Sequence, residues 1–205
     1  MYQLLFGTFL ISVLHALIPS HWLPLIALAK AQEWSERETI RYTFYLGLAH
    51  VLSTVLLGIL LGGILFGFQI VYDQKFFWIG PIILIASGFY FMYRHHTHHH
   101  FHIDDHMMDP TKTRKQILYA LLAFMFLSPC LEIEAYFMNA SLYGWGTLLL
   151  CVFIYAIISL FGMVIWVWIA FRSIKRINAH TWEHNAGIIT GITMVLTGIL
   201  SFIIH

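Results

Sequence analysis

Uncharged apolar stretches alternate with short charged ones along this chain. Residues 1–29, 42–72, 76–93, 135–171 and 185–204 carry no Asp, Glu, Lys or Arg, and neither does 116–131. A helix that crosses a bilayer needs about 20 mostly apolar residues. The pattern therefore predicts six helices, near 3–29, 40–66, 76–94, 115–138, 145–171 and 186–204. "WSERETIR" opens the second with Ser35 and Glu38 three positions apart, the spacing of a capping box. "NASLYGWG" reads as a tight link between the fourth and fifth.

The basic residues set an orientation. Lys30, Arg37 and Arg41 fall in the first loop, Arg94, Lys112, Arg114 and Lys115 in the third, and Arg172, Lys175 and Arg176 in the fifth. Those loops hold ten of the 11 basic residues, and the second loop holds only Lys75. Cytoplasmic loops collect Lys and Arg, so loops one, three and five are expected inside and both termini outside. The expected fold class is an all-α integral membrane protein with six transmembrane helices, forming one domain over 1–205. A first three-helix half (3–94) and a second (115–205) flank a cytoplasmic loop (95–114).

Two interruptions suggest how the halves are related. "IPSHW" lies late in the first helix and "LSPCLE" late in the fourth, with Pro19 and Pro129 in equivalent places. Three helices is an odd number, so two such sets insert with opposite orientation, as inverted repeats do. Ordinary proline kinks, which membrane helices tolerate, are the plainer alternative.

Composition agrees with a bilayer setting. Hydrophobic residues make up 60% of the 205 and charged residues 10%, against about a quarter charged in soluble domains. A net charge of +1 does not suggest a nucleic-acid partner. Cys130 and Cys151 lie in apolar segments and do not form a disulfide framework pattern. The first apolar run is too long for a cleavable signal and lacks a basic start, so it is read as the first transmembrane segment. The lipid bilayer of a bacterial inner membrane is the expected surrounding, crossed several times. Homo-oligomer formation is left open.

Against this background the polar residues at membrane depth carry the chemistry, because they are costly there. His15 and His21 flank Pro19 and Ser20, and an interruption at Pro19 frees backbone groups that face a polar path. His50, in "LGLAHVLSTVLLG", reaches a similar depth on the second helix, with Ser53 and Thr54 one turn on. Imidazole is a common transition-metal ligand, and three histidines on adjacent helices suggest a shared metal site. Cys130 and Glu134 are four apart and on one helical face, and join the expected ligands. Counted from residue 116 along a straight helix, Glu132 comes about 24 Å in, near the outer boundary. It is read as part of a substrate path with Pro19, Ser20, Ser53, Thr54 and Pro129.

Two further clusters lie in loops. "YRHHTHHHFHIDDHMMD" holds His95, His96, His98, His99, His100, His102 and His106 beside Asp104, Asp105 and Asp109. Dense histidine with carboxylates reads as a cytoplasmic metal-binding loop. "HTWEHN" places His180 and His184 at helical spacing beside Glu183, and is read as an interfacial loop anchored by Trp182.

"HALIPSH" resembles the first-helix signature of the nickel/cobalt permease family, in which a histidine is followed after four residues by aspartate and histidine. "LAHVLST" is similar to that family's second-helix histidine motif. The resemblance covers about a third of the chain. It implies that His15, His21 and His50 bind a transported Ni²⁺ or Co²⁺. Ser20 stands where the family has aspartate, which puts the metal's identity in question. "LSPCLE" resembles the proline–cysteine motif of cytochrome c biogenesis thiol-transfer membrane proteins. Those belong to a related six-helix inverted-repeat group that also holds urease-accessory membrane proteins and exporters of the lysine type.

The expected function is that of a permease or exporter for a divalent transition metal (Ni²⁺, Co²⁺, Zn²⁺ or Fe²⁺), and not an enzyme. Its halves would rock about a midplane site, with one triplet of helices moving against the other. Two alternatives stand beside it. A thiol–disulfide carrier needs a second exchanging cysteine, and a membrane di-iron enzyme would use the loop histidines.

Overall fold

The computed structural model describes residues 2–67, 79–96, 113–128, 130–173 and 179–203. All of its regular structure there is helical: α1 Tyr2–Ala16, α2 Pro19–Ala31, α3 Glu36–Gly67, α4 Ile79–His96, α5 Arg114–Phe126, α6 Leu131–Leu142, α7 Trp145–Ser173 and α8 Ala179–Ile203. Three segments among the described residues are long and apolar enough to cross a membrane: Tyr2–Ala31, Glu36–Ile64 and Trp145–Ser173. Pro81–Tyr90 and Ile188–Leu200 are shorter apolar helical stretches.

Both interruptions read from the sequence are real breaks. The first predicted helix divides into α1 and α2. Ile18 adopts an extended conformation (φ −63°, ψ 116°) and Pro19 restarts the helix at its first position. Proline suits that place, because the N–H it lacks has no helical partner there. The fourth divides into α5 and α6 around Cys130, which is extended (φ −87°, ψ 107°) and caps α6. Cys130 thus caps α6 and does not continue α5, and it lies against α3 at Thr54 as Glu134 does at Gly58. Pro129 lies outside the described residues.

Local signals set the other ends. Ser35 and Glu38 form the expected capping box, with Ser35 N–H donating to Glu38 Oε2 at 2.9 Å and Glu38 N–H to Ser35 Oγ at 3.3 Å. Thr113 and Gln116 cap α5 in the same way. Gly144 turns the chain between α6 and α7 with φ +98°, a conformation open to glycine without strain. The largest difference from the predicted boundaries is at the last helix. α8 begins at Ala179, so "HTWEHN" is its first turns and not a loop.

The surface is reversed relative to a water-soluble bundle. Leu48, Leu52, Leu56, Leu60 and Ile64 form an exposed stripe along α3, and Phe153, Ile157, Phe161 and Ile165 do so along α7. Thr8, Ser12, His15, His50, Thr54 and Glu134 are buried. Such an arrangement fits helices whose surroundings are apolar and whose polar groups must be satisfied within the protein.

Packing gives each broken helix a continuous companion. Arg114 lies beside Glu38, Met125 beside His50, Cys130 beside Thr54 and Glu134 beside Gly58, so α5 and α6 run parallel to α3. His15 lies beside Tyr155, Ala16 beside Gly162 and Trp22 beside Trp166, so α1 and α2 run parallel to α7. α3 and α7 cross antiparallel. Glu36 bonds Arg172 at one end, and Gly62 meets Leu148 at the other. α4 and α8 are also antiparallel, with Gly88 and Gly191 facing each other so closely that a methyl on either would come within 2.6 Å of the other's carbonyl oxygen. Each broken helix of one half therefore packs on the middle helix of the other. The starts of α3 and α5 and the end of α7, all bearing basic residues, share one end of the bundle.

Candidate metal centre

Four side chains converge where the two breaks face each other. His15 lies in the last turn of α1, His21 in the first turn of α2, His50 midway along α3, and Cys130 caps α6. One ligand atom from each lies within 4.8 Å of the others, and no other such His, Cys, Asp or Glu group occurs among the described residues. His21 Nε2 is 3.1 Å and His50 Nε2 3.4 Å from Cys130 Sγ. The rings of His15 and His50 stack with centroids 5.8 Å apart and planes at 6°. The ring of His21 leans against both, at 4.6 and 4.9 Å.

The breaks are what permit this convergence. On one straight helix, His15 and His21 would point roughly 120° apart. Ending α1 at Ala16 and restarting at Pro19 lets both rings face one point. The break before α6 does the same for Cys130, whose sulfur sits at a helix N-terminus, a position that suits an anionic group.

Neighbouring groups hold the ligands. His50 Nδ1 lies 3.4 Å from the Met125 carbonyl in the last turn of α5, which leaves Nε2 turned to the sulfur. A ligating histidine commonly has its second ring nitrogen held in this way. Tyr155 Oη lies 3.4 Å from His15 Nε2 and ties that ring to α7. Thr54 serves both sides of a junction. Its hydroxyl donates to the His50 carbonyl at 3.1 Å and accepts the Cys130 N–H at 3.1 Å. Ser53 also donates to the His50 carbonyl, at 2.9 Å. Both hydroxyls thus hold the backbone beside His50, and that of Thr54 ties it to Cys130. At the other break, Trp22 Nε1 donates to the Leu17 carbonyl at 3.4 Å.

The structure sorts the sequence-based site residues unevenly. It brings His15, His21, His50 and Cys130 together and leaves Glu134 outside the group. Glu134 points at Gly58 of α3, where a methyl would lie 3.0 Å from its Oε2. The side chains of Ser20 and Glu132 lie outside the described residues. So do those of His95, His96, His98, His99, His100, His102, His106, His180 and His184. Tyr155 and the Met125 carbonyl were not singled out from the sequence. A tyrosine within "FIYAII" gives no local sign that it will meet a histidine 140 positions away.

Cys130 is level with Thr54, within the apolar segment Glu36–Ile64, and α5 starts level with the charged first turns of α3.

Three imidazoles and one thiol make a donor set for borderline and soft ions. Zn²⁺, Co²⁺, Ni²⁺ and Fe²⁺ suit it, while Mg²⁺ and Ca²⁺ require oxygen ligands that the group does not supply. No family model, no curated protein and no solved structure matches the chain.

Proposed function

We propose that this chain is a membrane permease for a divalent transition-metal ion, which it holds in transit between His15, His21, His50 and Cys130. The observation that carries the reading is the convergence of those four donors from four helices at two facing helix breaks. The six crossing segments would be α1 with α2, α3, α4, α5 with α6, α7, and α8. Both termini would lie outside a bacterial inner membrane, with the basic ends of α3, α5 and α7 in the cytoplasm. Facing discontinuous helices near the midplane are how inverted-repeat transporters build substrate sites. The likeness of "HALIPSH" and "LAHVLST" to nickel/cobalt permease motifs agrees with this.

The packing alters the expected motion. α1 and α2 lie on α7, and α5 and α6 lie on α3, so these two groups, not the two sequence halves, form the natural moving bodies. Each contributes two ligands: His15 and His21 from one, His50 and Cys130 from the other. Their separation would leave an ion with two ligands, which favours release. A thiol–disulfide carrier is less well supported, because Ser20 stands where the first half would need its cysteine. The test is uptake into liposomes containing the purified full-length protein. Co²⁺ entry that His50→Ala stops, with no Mg²⁺ entry, supports the reading. Equal Co²⁺ entry with wild type and His50→Ala would overturn it.

A further inference from the structure

Glu134 is a buried carboxyl left over once the four donors are assigned. It is 3% exposed, and neither of its oxygens has a hydrogen-bond partner. It lies on the first turns of α6, one turn beyond Cys130, and faces α3 at Gly58. Gly58 makes the room for it. A methyl there would meet Glu134 Oε2 at 3.0 Å and come still closer to the ring of Phe137. Phe137 shares the Gly58 face with it, and belongs to an apolar cluster with the fully buried Ile133 and Leu148.

The elements packed against α6 bring no counter-charge to this carboxyl among the described residues. α3 presents Gly58 and Thr54, with His50 a further turn away. The titratable groups of α7 in the surrounding core are Cys151 and Tyr155. α1 contributes His15, and the described side chains of α4 include Tyr90 and Tyr93. None of these bonds Glu134. An unpaired carboxylate in such a place is costly, whereas the neutral acid is tolerated. An acidic side chain that is neutral when enclosed and ionises when wetted is a carrier of one proton.

We infer that Glu134 is a proton-binding site whose loading is linked to the metal centre one helical turn away, so that metal passage is coupled to proton movement. The coupling rests on the permease reading above; the proton site itself does not. A link is available in the geometry. Cys130 and Glu134 both lie against one stretch of α3, at Thr54 and Gly58, in the body that carries two of the four ligands, so a change at the metal centre reaches the carboxyl through the first turn of α6.

The test uses infrared difference spectra of the full-length protein in lipid, with Co²⁺ as the probe. The wild type should show the carbonyl stretch of a protonated carboxylic acid that Glu134→Gln lacks, and Co²⁺ should perturb it. Glu134→Gln should still bind Co²⁺ with a thiolate-to-cobalt absorption, and should release about one fewer proton per ion bound. Gly58→Ala, which presses on the carboxyl, should shift the band without removing it. A band that Glu134→Gln retains, or one indifferent to Co²⁺, would overturn the inference. So would loss of Co²⁺ binding in Glu134→Gln, because the carboxyl would then be a ligand. If wild type bound no Co²⁺, the permease reading and the coupling would fall together, while a Glu134-dependent band would still establish the proton site.

Discussion

His21 and Cys130 are 109 positions apart in the chain, and His21 Nε2 lies 3.1 Å from Cys130 Sγ. Each belongs to the restart of a broken helix. Their approach joins the two breaks into one place and makes the fourth donor a sulfur.

Cys130→Ser should therefore do more than trim a side chain. Removing a direct ligand should cost more than the roughly 10–100-fold seen when an outer partner of a ligand is lost. Zn²⁺ affinity measured by competition titration should fall by at least about 100-fold, with helix content by circular dichroism unchanged. An affinity within a few-fold of wild type would remove Cys130 from the site.

Thr54→Val tests the support of the site. The substitution keeps the volume but deletes the hydroxyl that joins the His50 carbonyl to the Cys130 N–H. Zn²⁺ affinity should fall by about 10–100-fold. Thr54→Ser, which keeps the hydroxyl, should restore most of it. Failure of the serine variant to differ from valine would show that packing, and not the bridge, matters here.

Much of this centre was legible in the sequence. Pro19 and Pro129 announced the breaks, and Ser35 with Glu38 announced the start of α3, because both signals are local chemistry. His15, His21 and His50 stood out because imidazole is rare in apolar runs. What the sequence hid was set by tertiary packing. Helical spacing puts Glu134 on the α3 side with Cys130, but spacing along one helix does not show that the carboxyl stops short of the four-donor group. Tyr155 and the Met125 carbonyl matter only because α7 and α5 pass the site. The cross-packing of the halves is equally invisible in one chain's periodicity.

Acidification should weaken metal binding. Imidazole must be neutral and the thiol ionised to ligate, so protons compete with the ion. Apparent Co²⁺ affinity should fall as the pH is lowered from about 8 to 5, because protons and the ion compete for the same nitrogen and sulfur atoms. An affinity flat across that range would argue against histidine ligands.

The contact of α4 with α8 should be intolerant of side chains. At Gly88 an added methyl meets the Gly191 carbonyl oxygen at 2.6 Å, and backbone cannot yield as a flexible side chain does. Gly88→Val should lower stability by about 1–3 kcal/mol, read from thermal unfolding in detergent. Gly146→Ala is the control, since nothing lies within 4 Å of the added methyl. A Gly88→Val protein as stable as the control would contradict the close approach.

The most direct measurement replaces residues 95–106 with a Gly/Ser linker and determines Co²⁺ bound per chain, with and without His15→Ala and His50→Ala. The histidine-rich loop can then contribute nothing. About one Co²⁺ per chain, lost in both variants, is the predicted result and places the ion at the facing helix breaks. Binding that disappears with the loop, or that survives both substitutions, would contradict the account.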